Sequence, residues 1–310
     1  MSKKILYRII QGVITMWAVV TVVFFLMRIS GDPIEMRFLG NADPTALQQA
    51  EALRHDLGLD RPIHEQYINY LIDVVSLDFG KSIDTGRPVQ TTIAENIPYT
   101  LRLTLSAFML SYLIAIPLGV LTAVWRNSPF DYAIQVLSMI GVSIPSFWLG
   151  IMLILLFAVQ LELLPALGVG GGSIKNLILP AATIAIPRIS FMSRFIRGTM
   201  LDILNEDYLR TAHAKGLAAH TVVMKHGLRN ALIPIITVAG VQLGYLVSGS
   251  VVIERVFGLP GIGDKLVDSI SSRDFPITQA LVLIIALSIV TMNLVVDIMY
   301  VYIDPRLRVD

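Results

Sequence analysis

The chain has no cysteine, and only 15% of its 310 residues are charged. The first absence excludes disulfides, thiol catalysis and cysteine-based metal sites. The second falls well below the roughly 25% of charged residues in an ordinary soluble domain. Charge is also missing locally: Ile9–Met27, Leu103–Val124, Tyr132–Leu161, Ala231–Ile253 and Pro276–Val296 contain no Asp, Glu, Lys or Arg. A further stretch, Leu177–Ser193, holds a single charge, Arg188. Each is about long enough to cross a hydrocarbon core of about 30 Å at about 1.5 Å per residue. These runs imply an all-α polytopic membrane protein with six spans, over residues 9–29, 99–125, 132–161, 177–198, 230–253 and 276–302.

Basic residues orient the spans. With the N-terminus inside, the inner face collects Lys3, Lys4, Arg8, Arg126, Arg194, Arg197, Arg210, Lys215, Lys225, Arg229, Arg306 and Arg308. The short outer loops hold Lys175, Arg255, Lys265 and Arg273, the last three offset by Glu254, Asp264, Asp268 and Asp274. The positive-inside rule therefore predicts N-in, C-in topology. The basic start, Lys3, Lys4 and Arg8, also opens secretory signals, but the following apolar run is too long and lacks a small-residue cleavage site, so a retained first span is expected.

Two connectors exceed simple turns. The outer one, 30–98, carries helical patterns over Pro44–Leu57 and Ile63–Val75, with Gly58 placed as a C-terminal cap and Pro62 opening the second. It reads as an extracytoplasmic cap rather than an independent domain. The inner connector is 199–229. Residues 132–161 would run about 45 Å as a straight helix, so that span must tilt, bend or break, and Pro145 is the expected place. Pro117, Pro187 and Pro234 are further candidates for interruption. Repeats and low-complexity stretches are absent from the sequence.

The inner connector is the most specific segment. Glu206–Gly216 reads as a short helix with Leu201, Leu204, Tyr208, Leu209 and Ala212 on an apolar side. Glu206 and Asp207 near its start and Lys215 in its last turn suit the helix dipole, and Gly216 suits the left-handed residue that stops it. A basic helix through Lys225, His226, Gly227, Leu228, Arg229 and Asn230 runs into the fifth span. The residues Asp207, Tyr208, Arg210, Thr211, Ala212, Ala214, Lys215, Gly216, His226, Leu228, Asn230, Ala231 and Pro234 resemble the cytoplasmic loop of ABC importer permeases of the dipeptide/oligopeptide/nickel branch. Arg210 and Thr211 depart from the broader E-A-A form of that loop, and Arg229 replaces its proline. The resemblance extends to Gly31-Asp32-Pro33, Leu57–Pro62, Phe257–Gly263, Arg273–Pro276, Asp297 and Asp304-Pro305-Arg306, and so covers essentially the whole chain.

The resemblance implies a type I ABC importer permease fold in a bacterial cytoplasmic (inner) membrane, with 1–310 as one permease domain. It implies a sister permease in a heterodimer, one or two ABC ATPase subunits that bind ATP and magnesium, and an extracytoplasmic substrate-binding protein. It implies that the short helix docks on an ATPase and relays its closure, with its apolar side buried in that partner and its charges at the rim. Cargo would be a dipeptide, oligopeptide or glutathione, or alternatively nickel or a metal chelate. An ion-coupled secondary transporter is the reading from a different class. It would want paired acidic residues within the spans, and only Asp297 approaches that.

The chain itself is expected to bind no cofactor, metal or nucleic acid and to carry no catalytic site. Gly80-Lys81-Ser82 lacks the earlier glycine of a phosphate loop, since Val75 stands there. His213, His220 and His226 lack the spacing of a metal pair, and His55 and His64 lie apart in the outer segment. Gly170-Gly171-Gly172 reads as an outer turn. Arg188, near the middle of the fourth span, is expensive there and points either to a water-filled path that attracts a carboxylate or to snorkelling or pairing with an acidic residue of the sister subunit. Phe147, Trp148 and Met192 are further candidates for its wall.

Overall fold

The computed structural model describes residues 2–29, 57–168 and 174–303, together with residues 31, 34, 48, 50–52, 54 and 55 of the outer segment. The Gly31-Asp32-Pro33 motif beyond Gly31, most of the Pro44–Leu57 helix, the triple glycine and Asp304-Pro305-Arg306 lie outside the described residues, as does the side chain of Asp297.

Among the described residues the protein is helical, with a single isolated bridge between Lys81 and Pro88. The elements are α1 (Ser2–Ile29), α2 (Ile63–Ser76), α3 (Val89–Val124), α4 (Pro129–Ser143), α5 (Ser146–Gln160), α6 (Ile174–Leu204), α7 (Asp207–Ala214), α8 (Ala219–Gly244), α9 (Leu246–Phe257), α10 (Ile262–Ser271) and α11 (Phe275–Ile303). Helices α5 and α8 contain π-helical segments, Ile154–Gln160 and Val222–Leu228. Five stretches are long and apolar enough to cross a membrane: Tyr7–Ile29, Val89–Val124, Ile174–Leu204, Ala219–Gly244 and Phe275–Val296.

The third apolar stretch breaks where proline predicts. Helices α4 and α5 meet at 106°. Ile144 is extended at φ −77°, ψ 127°, the conformation that a following proline ring imposes on its neighbour. Pro117, Pro187 and Pro234 do not interrupt their helices. Each lies inside a helix packed along its length, and packing holds the helix although one backbone hydrogen bond is lost. The fifth apolar stretch is divided between two helices. It ends as a continuous helix at Gly244, and residues from Leu246 onward form α9, which turns by 74° into α10. The turn is built on Gly258 at φ +60°.

Helices α3 and α6 form the centre, and they run parallel. Leu103 and Ala107, early in α3, pack with Leu179, Ala181 and Ile184, early in α6. Ala115, Val120 and Ala123, late in α3, pack with Met192, Ile196 and Met200, late in α6. A Cβ at Gly119 would stand 2.6 Å from the Ile196 side chain, so the missing side chain sets how closely the two helices approach. Ala231 and Ile235 of α8 join the second cluster, while Ile253, Phe257 and Leu259 join the first. Helix α11 runs antiparallel to both α1 and α8: Gly12 faces Val290 while Val20 and Phe24 pack with Leu283, and Gly240 faces Val296 while Gly244 faces Met292.

In the outer segment, α2 starts after Pro62 as expected. Gly58, at φ +61°, closes the preceding turn: its N–H donates to His55 O at 3.0 Å, and the Leu59 N–H donates to Arg54 O at 2.9 Å. That pair of bonds is the Schellman arrangement expected of a C-terminal glycine.

Candidate functional site

Helix α7 lies between the ends of α6 and α8. Its termination is as the sequence indicates. Gly216 adopts φ +80°, its N–H donates to His213 O at 2.9 Å, and the Leu217 N–H donates to Ala212 O at 3.4 Å. Its start has the Glu206 carbonyl accepting from the N–H of Leu209 at 3.0 Å.

The apolar side of α7 is not offered to a partner. Leu209 and Ala212 are buried with Val222, against Ile203 and Leu204 of the same chain. An eight-residue helix cannot hold its place alone, and this cluster seats it on the ends of α6 and α8. What remains outward is polar apart from Ala214: Glu206, Asp207, Tyr208, Arg210, Thr211, His213 and Lys215 are exposed beside it. This corrects the expected division of labour within the helix. Tyr208 belongs to the outward set, and its hydroxyl accepts from Asn230 Nδ2 at 2.6 Å, which ties α7 to the middle of α8. Arg210 pairs loosely with Asp207 at 3.3 Å on the surface. His226 is half-buried in the π-helical segment.

The candidates for the path do not gather in one place. Arg188 is partly exposed on α6, and its Nη1 reaches Ile184 O only at 3.5 Å. A Cβ at Gly249 would lie 3.7 Å from its Nη2, so α9 passes beside it. No acidic partner pairs with Arg188 among the described residues. Phe147 and Trp148 are exposed at the α4–α5 break, in a groove with Met139, Ile140 and Pro145 that does not include Arg188. Met192 is fully buried between α3 and α6, where its Sδ accepts from Gln242 Nε2 at 3.3 Å. It is part of the core rather than of a wall.

Three buried carboxylates have structural tasks that the sequence reading missed. Asp131, at the start of α4, takes a two-pronged contact from Arg197 of α6, with Nε at 2.7 Å and Nη2 at 2.6 Å. The Asn127 N–H donates to it and its own N–H donates to Ser128 Oγ, so the pair also caps α4. Glu254 of α9 is wholly buried and accepts from Thr100 Oγ1 of α3 at 2.7 Å, Ser250 Oγ at 2.9 Å, and the N–H groups of Gly263 at 2.7 Å and Asp264 at 3.2 Å. Asp274 accepts from Ser82 Oγ and from the N–H groups of Ile83 at 3.2 Å and Asp84 at 3.3 Å. The sequence signal for Asp131 was the Ser-Pro-x-Asp start of a helix. Glu254 and Asp274 gave no local signal, because the partners that tie them to other parts of the fold, Thr100 and the turn at 82–84, lie far along the chain.

Among the described residues no three His, Asp or Glu side chains gather to hold a metal.

A parallel pair of long apolar helices, a broken helix beside them and a small exposed helix joining two of the long ones define a polytopic helical membrane protein. The chain belongs to the family described as the binding-protein-dependent transport system inner membrane component, which matches residues 115–309, with the N-terminal part of that component matching residues 1–104. It is 42% identical over 310 residues to the glutathione transport system permease protein GsiC of Salmonella choleraesuis, covering 99% of each chain. It is 40% identical over 309 residues to the protein of the same description from Escherichia coli K12, again covering 99% of each. Among solved structures it resembles an inward-facing MetNI methionine ABC transporter, with a TM-score of 0.57 and 18% identity, over 69% of this chain and 97% of that one. It also resembles an amino acid ABC transporter at a TM-score of 0.52 and 15% identity, over 68% of this chain and 94% of that one. The protein is therefore a multi-pass ABC importer permease of the cytoplasmic membrane.

Proposed function

We propose that this permease carries glutathione-type peptides inward by alternating access, driven by ABC ATPases that dock on the outward polar face of α7. The cargo reading rests on the full-length likeness to glutathione permeases. The observation that carries the coupling reading is the construction of α7, a polar face on a helix whose apolar back is fixed to both α6 and α8. A push on that face moves two spans as one lever. The ATPase, bound to ATP and magnesium, must favour one of the two membrane states, since a ligand indifferent to both shifts neither. A sister permease completes the translocation path, and a substrate-binding protein delivers cargo from outside.

Six crossings with both termini inside fit the helix directions. Helices α3 and α6 run parallel, so the chain between them has to return across the bilayer, which makes the bent α4–α5 pair a crossing. Helices α9 and α10 pack at one end only, with the starts of α3, α6 and α11. They form a hairpin that does not cross. Arg194, Arg197, Arg210, Lys215, Lys225 and Arg229 then share the inner face. Arg188 supplies a positive point on the path.

The natural absence of cysteine makes the test direct. In a Thr211→Cys variant, a membrane-impermeant maleimide labels inside-out vesicles and not intact spheroplasts, and assembly with the ATPase blocks the label. Labelling of intact spheroplasts overturns the orientation, and unprotected labelling in the assembled complex overturns the docking. Arg188→Met lowers uptake while basal ATP hydrolysis persists. Unchanged uptake of every cargo removes Arg188 from the path.

A further inference from the structure

Helix α2 runs down the side of α1 rather than across its end. Near the C-terminal end of α1, Arg28 Nε donates to Gln66 Oε1 at 2.8 Å. Further along, Thr21 Oγ1 and the Tyr67 hydroxyl are 2.7 Å apart, and the Phe24 ring stacks on Tyr70. Met16 and Val20 then share a cluster with Leu71 and Val74, and Trp17 lines one groove with Val74 and Val75. The two helices are therefore antiparallel neighbours. From Arg28 to Trp17 a helix covers about 16 Å, about half of a hydrocarbon core of about 30 Å. Arg28 is the charge that closes the apolar run of α1, so it marks the edge of that core.

The exposed surface of α2 is divided lengthwise. Ile68, Ile72 and Val75 follow one another at four and three residues, so they form one stripe, and they are 54%, 59% and 84% exposed. Asn69 and Asp73, on another side of the helix, line a polar recess with Asp78 and Lys81. Through the groove that holds Trp17, Val74 and Val75, the stripe continues the exposed apolar surface of α1, a helix long and apolar enough to cross a membrane.

The end of α2 is finished without water. The Leu77 N–H donates to Val74 O at 3.3 Å and the Asp78 N–H to Asp73 O at 2.9 Å. Ser76 Oγ donates to Ile72 O at 2.7 Å, and Gln90 Nε2 reaches Leu77 O at 3.2 Å. Backbone at membrane depth needs such internal partners. Leu77 itself sits at φ +57°, where glycine is usual, and its side chain is 63% exposed. A leucine there is strained and gains nothing from water, whereas acyl chains would offset that strain.

We propose that α2 is a re-entrant helix seated in the membrane leaflet at the C-terminal end of α1, with Ile68, Ile72, Val75 and Leu77 against lipid acyl chains and with Asn69 and Asp73 turned to a wet recess. This requires only that α1 crosses the membrane. It depends neither on the cargo nor on which side that end of α1 faces.

The chain has no cysteine of its own, so single cysteines can carry a nitroxide to chosen positions of the full-length chain before it is assembled with its partners in nanodiscs. Collision with oxygen, which concentrates in lipid, is compared with collision with a water-soluble nickel chelate. Labels at Ile68→Cys, Ile72→Cys and Val75→Cys meet oxygen several-fold more than nickel, with the ratio rising toward Val75. Labels at Asn69→Cys and Asp73→Cys reverse the preference, so the ratio oscillates with the period of about 3.6 residues of a helix. Preference for nickel along the stripe puts α2 in water and overturns the proposal. Few collisions with either reagent there mean that protein covers the stripe, which also overturns it. Phe25→Cys is the reference on α1, and nickel access at that position would overturn the placement of α1 as well. A phospholipid with a photoactivatable diazirine in its acyl chain tests the unsubstituted chain. Adducts on residues 63–77 beside those on α1 are expected, and adducts on α1 alone overturn the proposal even if a cysteine variant fails to fold.

Discussion

The two connectors that flank α8 are built in opposite ways. The first, α7, is seated by a few apolar side chains and turns its polar groups outward. The second, the α9–α10 hairpin, buries its polar groups: Glu254 is enclosed by hydroxyls and backbone N–H groups from α3, α9 and α10, and Asp274 pins the hairpin's exit to the turn at 82–84. Apolar contacts are non-directional and tolerate sliding. A buried carboxylate with several donors has one geometry, and leaving its donors unmet is costly. The α7 connector is thus suited to being moved and the α9–α10 hairpin to holding its shape.

That contrast can be attacked from its rigid side first. Glu254→Ala leaves buried donors from three elements unmet and should destabilise the chain by roughly 3–5 kcal/mol, read as a lowered thermal midpoint in detergent. A midpoint close to native would show that the hairpin does not depend on the carboxylate. Asp274→Ala removes the acceptor for two N–H groups and Ser82, and a loss of roughly 2–3 kcal/mol is expected by the same measurement. In the α7 connector, Leu209→Ala opens a small cluster that can partly collapse, so about 2 kcal/mol is expected, with uptake falling further than stability because the lever loosens. If uptake per folded molecule stays native, the seating of α7 is irrelevant to coupling. Tyr208→Phe deletes one exposed hydrogen bond to Asn230 and should cost less than about 1 kcal/mol, with a modest drop in uptake-linked ATP hydrolysis. A large stability loss there would place Tyr208 among the structural residues instead.

Arg188 and Arg197 lie on the same helix and show why position in three dimensions matters. Arg197 meets Asp131 in a paired contact, so its charge is spent on joining α4 to α6. Arg188 has no acidic partner among the described residues. In sequence they differ only in distance from the end of an apolar run.

Legibility followed the range of the forces involved. The break at Pro145, the left-handed caps at Gly58 and Gly216 and the start of α2 at Pro62 were readable because backbone sterics act on neighbouring residues. The long apolar helices were readable because desolvation of the backbone in lipid admits few alternatives. The division of the fifth apolar stretch after Gly244 was not, because α9 is as apolar as the helix before it and packs against α3 through residues distant in the chain. The direction in which α7 faces was also hidden. Helical spacing gave its apolar side, but both a partner and the chain's own α6 and α8 could cover that side.

By itself the sequence determined that this is a helical membrane protein, where its helices cap and break, and which loop carries the transport family's pattern, since those follow from local chemistry and from the aversion of lipid to charge. Only the tertiary structure decided that α3 and α6 run parallel, that Asp131, Glu254 and Asp274 are structural ties, and that Met192 is core. Each of these depends on residues distant in the chain meeting at a few ångströms, and no local preference encodes such a meeting.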